Sequence, residues 1–89
     1  MVNYIVKFSK QAEKDKKLLK QAGLEKTTKD MLDIIKTDPF QNPPNFEKLK
    51  GNLKGFFSRR ISLRHRLVYK VDENVNEVIV LRMWTHYGD

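Results

Sequence analysis

EKLKGNLKGFFSRRISLRHRLVYK, residues 47–70, holds two strand-like runs separated by a short polar turn, and the rest of the chain can be placed around them. Phe56–Ile61 and Arg64–Val71 are rich in β-branched and aromatic residues, and Gly51-Asn52 and Gly55 supply turns ahead of the first run. Side chains alternate across a strand, so Arg64, Arg66, Val68 and Lys70 share one face while His65, Leu67, Tyr69 and Val71 share the other, more apolar one. A hairpin turning through an odd number of residues around Ser62 to Arg64 sets Arg60 directly opposite Arg66. Like charges so placed repel each other, and an anion between them removes the conflict. The pair is therefore a candidate phosphate site.

Downstream, Asp72-Glu73-Asn74 turns into a third run, Glu77–Trp84. There Val78, Val80, Arg82 and Trp84 alternate with Ile79, Leu81 and Met83, and a continued alternation aims His86 with Arg82 and Trp84. Upstream, Tyr4–Phe8 reads as a short strand, and Ser9 is a suitable N-cap for a helix from Lys10 to Ala22. The apolar residues of that helix are Ala12, Leu18, Leu19 and Ala22, against a lysine-rich solvated face. A second helix spans Glu25 to Thr37, with Thr28, Met31, Leu32 and Ile35 at helical spacing and Ile34 widening the stripe. Asp38-Pro39 ends it, because proline disfavours the helical conformation in the residue before it. PFQNPP, residues 39–44, is a stiff, extended connection that brings Glu47 to the sheet edge, with Phe46 and Leu49 as anchors. The expected order is β-α-α-β-β-β, a mostly antiparallel sheet with two helices packed on one face. This is an α+β fold in a single domain over residues 1–89.

The 89-residue chain carries a formal charge of +7. Residues 47–70 hold eight cations against Glu47, a net of +7, so the remainder is neutral overall. All five arginines (Arg59, Arg60, Arg64, Arg66, Arg82) follow Ser58, and the planar guanidinium suits bidentate phosphate recognition better than a lysine does. A polyanion, nucleic acid foremost, is the expected partner. The absence of cysteine excludes disulfides, thiolate zinc sites and cysteine nucleophiles, and two histidines without a carboxylate cluster give no metal site. No cofactor motif occurs. Neither a membrane span nor a signal sequence is evident, so the expected location is the cytoplasm.

Metal-free RNA cleavage needs a base for the 2′-hydroxyl proton, an acid for the leaving 5′-oxygen, and positive charge for the transition state. Glu47, His86 and Arg66 match these needs by type, with Arg60, Arg59 and Lys50 as phosphate contacts and Tyr87 as a stacking or positioning ring. Surrounding cations favour an ionised Glu47, but they also disfavour a protonated His86, so its role as acid or base stays open. Taken by spacing alone, Glu47 is equally a surface partner for Lys50, and His86 an exposed histidine. A non-catalytic RNA- or ribosome-binding module would use the same basic face. A DNA-reading regulator is disfavoured, because neither helix carries the arginine and amide residues that read base edges.

Glu47-x-Leu49-Lys50-x-Asn52-Leu53-x-Gly55-Phe56-x-Ser58-Arg59-Arg60-Ile61, followed by His65-Arg66-Leu67-Val68-Tyr69 and a final His86-Tyr87, resembles the YoeB/Txe toxins of the RelE superfamily. The resemblance implies a RelE-like fold and a toxin that enters the ribosomal A site and cuts the mRNA there. It makes Glu47 the general base, His86 the general acid, Arg66 the transition-state arginine and Arg60 a phosphate contact. Lys50 becomes a phosphate-contacting lysine, and Tyr87 the terminal tyrosine that positions substrate. It further implies a cognate YefM-like antitoxin whose flexible acidic tail covers the basic cleft, and a toxin homodimer in some members. DNA would be contacted only through the antitoxin complex. Gly88-Asp89 extend past the tyrosine at which family chains often stop, adding a carboxylate beside His86.

Overall fold

The computed structural model describes residues 3–85. Its elements run β1 (Ile5–Phe8), α1 (Lys10–Gln21), α2 (Glu25–Thr37), β2 (Glu47–Lys48), a 3-10 turn (Gly51–Leu53), β3 (Phe56–Arg60), β4 (Arg66–Asp72) and β5 (Glu77–Thr85). They form one five-stranded sheet in the order β1-β5-β4-β3-β2, antiparallel except where β1 runs parallel to β5. The expected α+β architecture is present, with a short additional edge strand where Glu47 meets the sheet.

Helix α1 starts because the Ser9 hydroxyl accepts the Ala12 N–H at 3.0 Å, and the same hydroxyl donates to the Leu81 carbonyl at 2.7 Å. One side chain thus caps the helix and ties it to β5. Gly23, at φ +75°, makes the turn into α2, a backbone conformation that an L side chain resists. Buried Ala12 and Leu19 from α1 and Met31 and Ile35 from α2 pack with Leu67, Tyr69, Val78, Val80, Met83 and Ile61 of the sheet and hairpin turn.

Two features depart from the expected pattern. On α1, Leu18 and Ala22 are exposed, and the inward face is Ala12, Asp15 and Leu19. Asp15 is fully buried because its carboxylate accepts the Met83 N–H at 2.9 Å, the Arg82 Nε–H at 3.2 Å and the Gln11 amide at 3.0 Å. On β5, the ladder to β4 shifts register between Arg66/Val68 and Val68/Tyr69. Simple alternation groups Met83 with Ile79 and Leu81, whereas the shifts turn Met83 into the core beside Val78 and Val80.

The 39–44 connection is also less extended than expected. It turns at Pro39–Phe40, where the Asp38 carboxylate accepts the Phe40 N–H at 3.0 Å, and then folds around a buried guanidinium. Phe46 anchors the segment as expected, its ring set edge-on to Phe57 with centroids 5.7 Å apart.

Candidate active site

Strand β3 presents Phe56, Ser58 and Arg60 on one side and Phe57 and Arg59 on the other, so adjacent arginines have opposite fates. Arg60 is exposed, on the open face. Arg59 is fully buried, its Nε donating to the Tyr69 hydroxyl at 3.0 Å and its terminal nitrogens to the carbonyls of Pro44 (2.7 Å), Gln41 (2.9 Å) and Pro39 (3.0 Å). The Phe46 ring lies 5.0 Å from the guanidinium carbon. These contacts correct the expectation that Arg59 binds phosphate: its donors are already taken up by backbone and phenol oxygens, and it clasps the 39–46 loop to the sheet. The Tyr69 hydroxyl completes the clasp by donating to the Pro39 carbonyl at 2.7 Å, and burial, only partly offset by Arg59, raises its pKa.

The loop so held delivers Glu47 into β2, where it pairs with Ser58 in register. One step along the same face, Arg60 pairs with Arg66, and Arg66 pairs in turn with Thr85 of β5. The expected cross-strand arginine pair is therefore present. Pro44, Asn45, Glu47, Ser58, Arg60 and Arg66 line a cleft of about 370 Å³. Within it, Arg66 Nη1 lies 3.6 Å from Glu47 Oε2, an ion pair whose arginine side chain is 11% exposed and whose glutamate side chain is 61% exposed. The Glu47 side chain is open to solvent and the Arg66 side chain is largely enclosed, and both line the cleft.

Lys50 lies elsewhere. It lines a neighbouring depression of about 440 Å³ with Lys48, Leu49, Lys54, Gly55, Phe56 and Phe57. The structure brings Glu47, Arg60 and Arg66 together and leaves Lys50 off that wall. His86 and Tyr87 lie outside the described residues. The last described residue, Thr85, is the strand partner of Arg66. Ser58 was not among the residues expected in the site, although its shared parity with Arg60 in β3 is a signal that points to it. His65, which alternation places on the more apolar face, stacks on Trp84 with centroids 3.7 Å apart and planes at 16°.

Comparison with known proteins gives a consistent result. A family model described as YoeB-like toxin of bacterial type II toxin-antitoxin system matches residues 6–87. Toxin YoeB of Synechocystis sp. is 38% identical over 73 residues, covering 82% of this chain and 76% of the relative. Toxin YoeB of Escherichia coli strain K12 is 40% identical over 62 residues, covering 70% of this chain and 67% of the relative. Among solved structures, a YoeB/ParE toxin from Agrobacterium tumefaciens superposes with a TM-score of 0.84 at 27% identity, covering 93% of this chain and 99% of that one. The YoeB-YefM complex from Staphylococcus aureus gives 0.78 at 35% identity, covering 97% and 100%.

Proposed function

The chain belongs to the YoeB-like toxins of bacterial type II toxin–antitoxin systems, and from that premise we propose that it is a ribosome-dependent mRNA endoribonuclease that arrests translation. The observation that carries this reading is the cleft in which the Glu47 carboxylate stands 3.6 Å from Arg66, with Arg60 directly across the strand. A carboxylate able to act as general base, set beside two cations that face each other across the β3–β4 ladder, is what a scissile phosphodiester requires.

The proposed reaction is a phosphoryl transfer. Glu47 takes the proton of the 2′-hydroxyl, the 2′-oxygen bonds to phosphorus, and the bond to the 5′-oxygen breaks. His86 protonates that leaving oxygen, giving a 2′,3′-cyclic phosphate and a free 5′-hydroxyl. Arg66 and Arg60 donate to the non-bridging oxygens as negative charge builds on them. Each side chain supplies its role without a metal or cofactor. Tyr87 positions the substrate, and Lys50, on its separate wall, meets the RNA backbone beyond the cut bond.

The S. aureus relatives have been solved both as a complex with YefM and as a dimer, which supports a cognate antitoxin and a homodimer for this chain as well. An acidic antitoxin tail would neutralise the cleft, and DNA would be contacted through the antitoxin. No described helix is long and apolar enough to cross a membrane. A cytoplasmic location is part of the same proposal, since the proposed substrate is mRNA on the ribosome. The test is induction of the gene in bacteria, with and without a small acidic gene encoded beside it, while the 5′ ends of cut transcripts are mapped. Growth arrest with cuts inside translated codons, relieved by the neighbour, is expected. Arrest with intact transcripts would instead indicate a non-catalytic ribosome-binding module.

A further inference from the structure

Ser58 borders the Glu47–Arg66 cleft and stands opposite Glu47 in the β2–β3 ladder. The residue is 1% exposed, and its Oγ has no hydrogen-bond partner among the described residues. Burying a hydroxyl in that state is destabilising, and an alanine at this strand position would avoid the cost. The other buried hydroxyls behave differently: Thr28 donates to the Leu24 carbonyl at 2.7 Å and Tyr69 to the Pro39 carbonyl at 2.7 Å. An unpartnered donor beside the candidate base points to a partner that arrives during turnover.

The identity of that partner follows from competition for Arg66. Arg66 Nη1 lies 3.6 Å from Glu47 Oε2, too long for a good hydrogen bond. A phosphate seated between Arg60 and Arg66 claims the same guanidinium and releases the carboxylate. Directly paired strand residues have Cβ atoms about 4.5–5.5 Å apart, so a hydroxyl on one reaches a carboxylate on the other. We propose that Ser58 is the positioning residue for Glu47: once phosphate engages Arg66, the Ser58 hydroxyl donates to one carboxylate oxygen. The other oxygen is left to accept the 2′-hydroxyl proton. The hand-over would hold the base still at the step where its usual ion-pair partner is occupied.

This inference rests on the functional reading above, and two measurements keep the two separable. The first compares cleavage of translated mRNA by the parent, S58A and S58T. Ser58→Ala removes an unpartnered group, so it should fold at least as well as the parent. Its kcat should nonetheless fall about tenfold or more, the loss of one hydrogen bond to a charged group, with KM within about twofold. Ser58→Thr, which restores the hydroxyl, should recover most of the rate. The second is a crystal structure with inorganic phosphate bound in the cleft, where Ser58 Oγ should lie about 2.5–3.0 Å from a Glu47 carboxylate oxygen. Parental kcat in S58A, or a Ser58 hydroxyl still without Glu47 as partner when phosphate is bound, overturns the proposal. A parent that leaves translated mRNA intact overturns the nuclease reading instead, and the phosphate-bound structure then decides the Ser58–Glu47 contact by itself.

Discussion

Arg59 donates to the Tyr69 hydroxyl at 3.0 Å inside the molecule, while Arg60, its neighbour in sequence, stands on the open face opposite Arg66. Two arginines side by side in sequence thus do different work, one building the loop that carries Glu47 and the other lining the cleft that Glu47 and Arg66 share.

Replacing Arg59 should therefore act on stability. Arg59→Ala takes the donor from the part-buried carbonyls of Gln41 and Pro44 and empties the fully buried space the guanidinium fills, leaving Tyr69 and Pro39 bonded only to each other; each buried group left unsatisfied costs about 1–3 kcal/mol. A loss of about 3 kcal/mol or more is expected in urea denaturation, and a comparable order for Arg59→Lys, whose point charge cannot reproduce the fork. The fraction that remains folded should bind RNA as the parent does. Weakened binding at unchanged stability would restore Arg59 to the phosphate site.

Arg60 and Arg66 should show the reverse behaviour. Arg60→Gln removes a like-charge conflict, so stability should hold or rise slightly, whereas Arg66→Gln removes the same conflict but also the ion pair to Glu47, so the two effects largely offset. Each should lower the slope of log affinity for single-stranded RNA against log salt by about 0.7, as expected when one phosphate contact is lost. For Arg66→Gln the cleavage rate should drop by about 100- to 1000-fold. Fluorescence titrations at several salt concentrations, with single-turnover kinetics, check both.

Asp15 gives a pH dependence of defined sign. Burial pushes its carboxyl pKa up, but the Met83 N–H, the Gln11 amide and the Arg82 guanidinium together outweigh burial and set it below the ordinary value. A group with a depressed folded-state pKa stabilises the protein above its unfolded value of about 3.9, and that stability is lost as pH falls through the folded value. Asp15→Asn should destabilise near neutral pH by about 1–3 kcal/mol and flatten the acid limb of the stability profile. Urea midpoints measured from pH 7 down to pH 2 would show the two curves converging; parallel curves would exclude Asp15 as the titrating group.

The sheet and the arginine pair were legible because period-two alternation and an odd-length turn are local rules. The same alternation separates Arg59, in phase with Phe57 and Ile61, from Arg60, but two cations in an arginine-rich run read alike until the loop carbonyls that solvate one of them are placed. Asp15 was hidden in a lysine-rich helix, since its partners come from β5 and no local spacing announces them. The register shifts in β5 were equally non-local, and they turn Met83 inward against the simple count. Extrapolating that count to His86 therefore has no basis beyond Thr85, the residue paired with Arg66.

The central claim is that Glu47 acts as a chemical group on RNA bound at the Arg60–Arg66 pair, and the most direct measurement is Glu47→Gln in a single-turnover assay on ribosomes translating a defined mRNA. Ribosome and mRNA binding should stay within about twofold of the parent, with cleavage slowed by about 100-fold or more, the scale of general-base catalysis. Cleavage at the parental rate by a folded Glu47→Gln protein would contradict it.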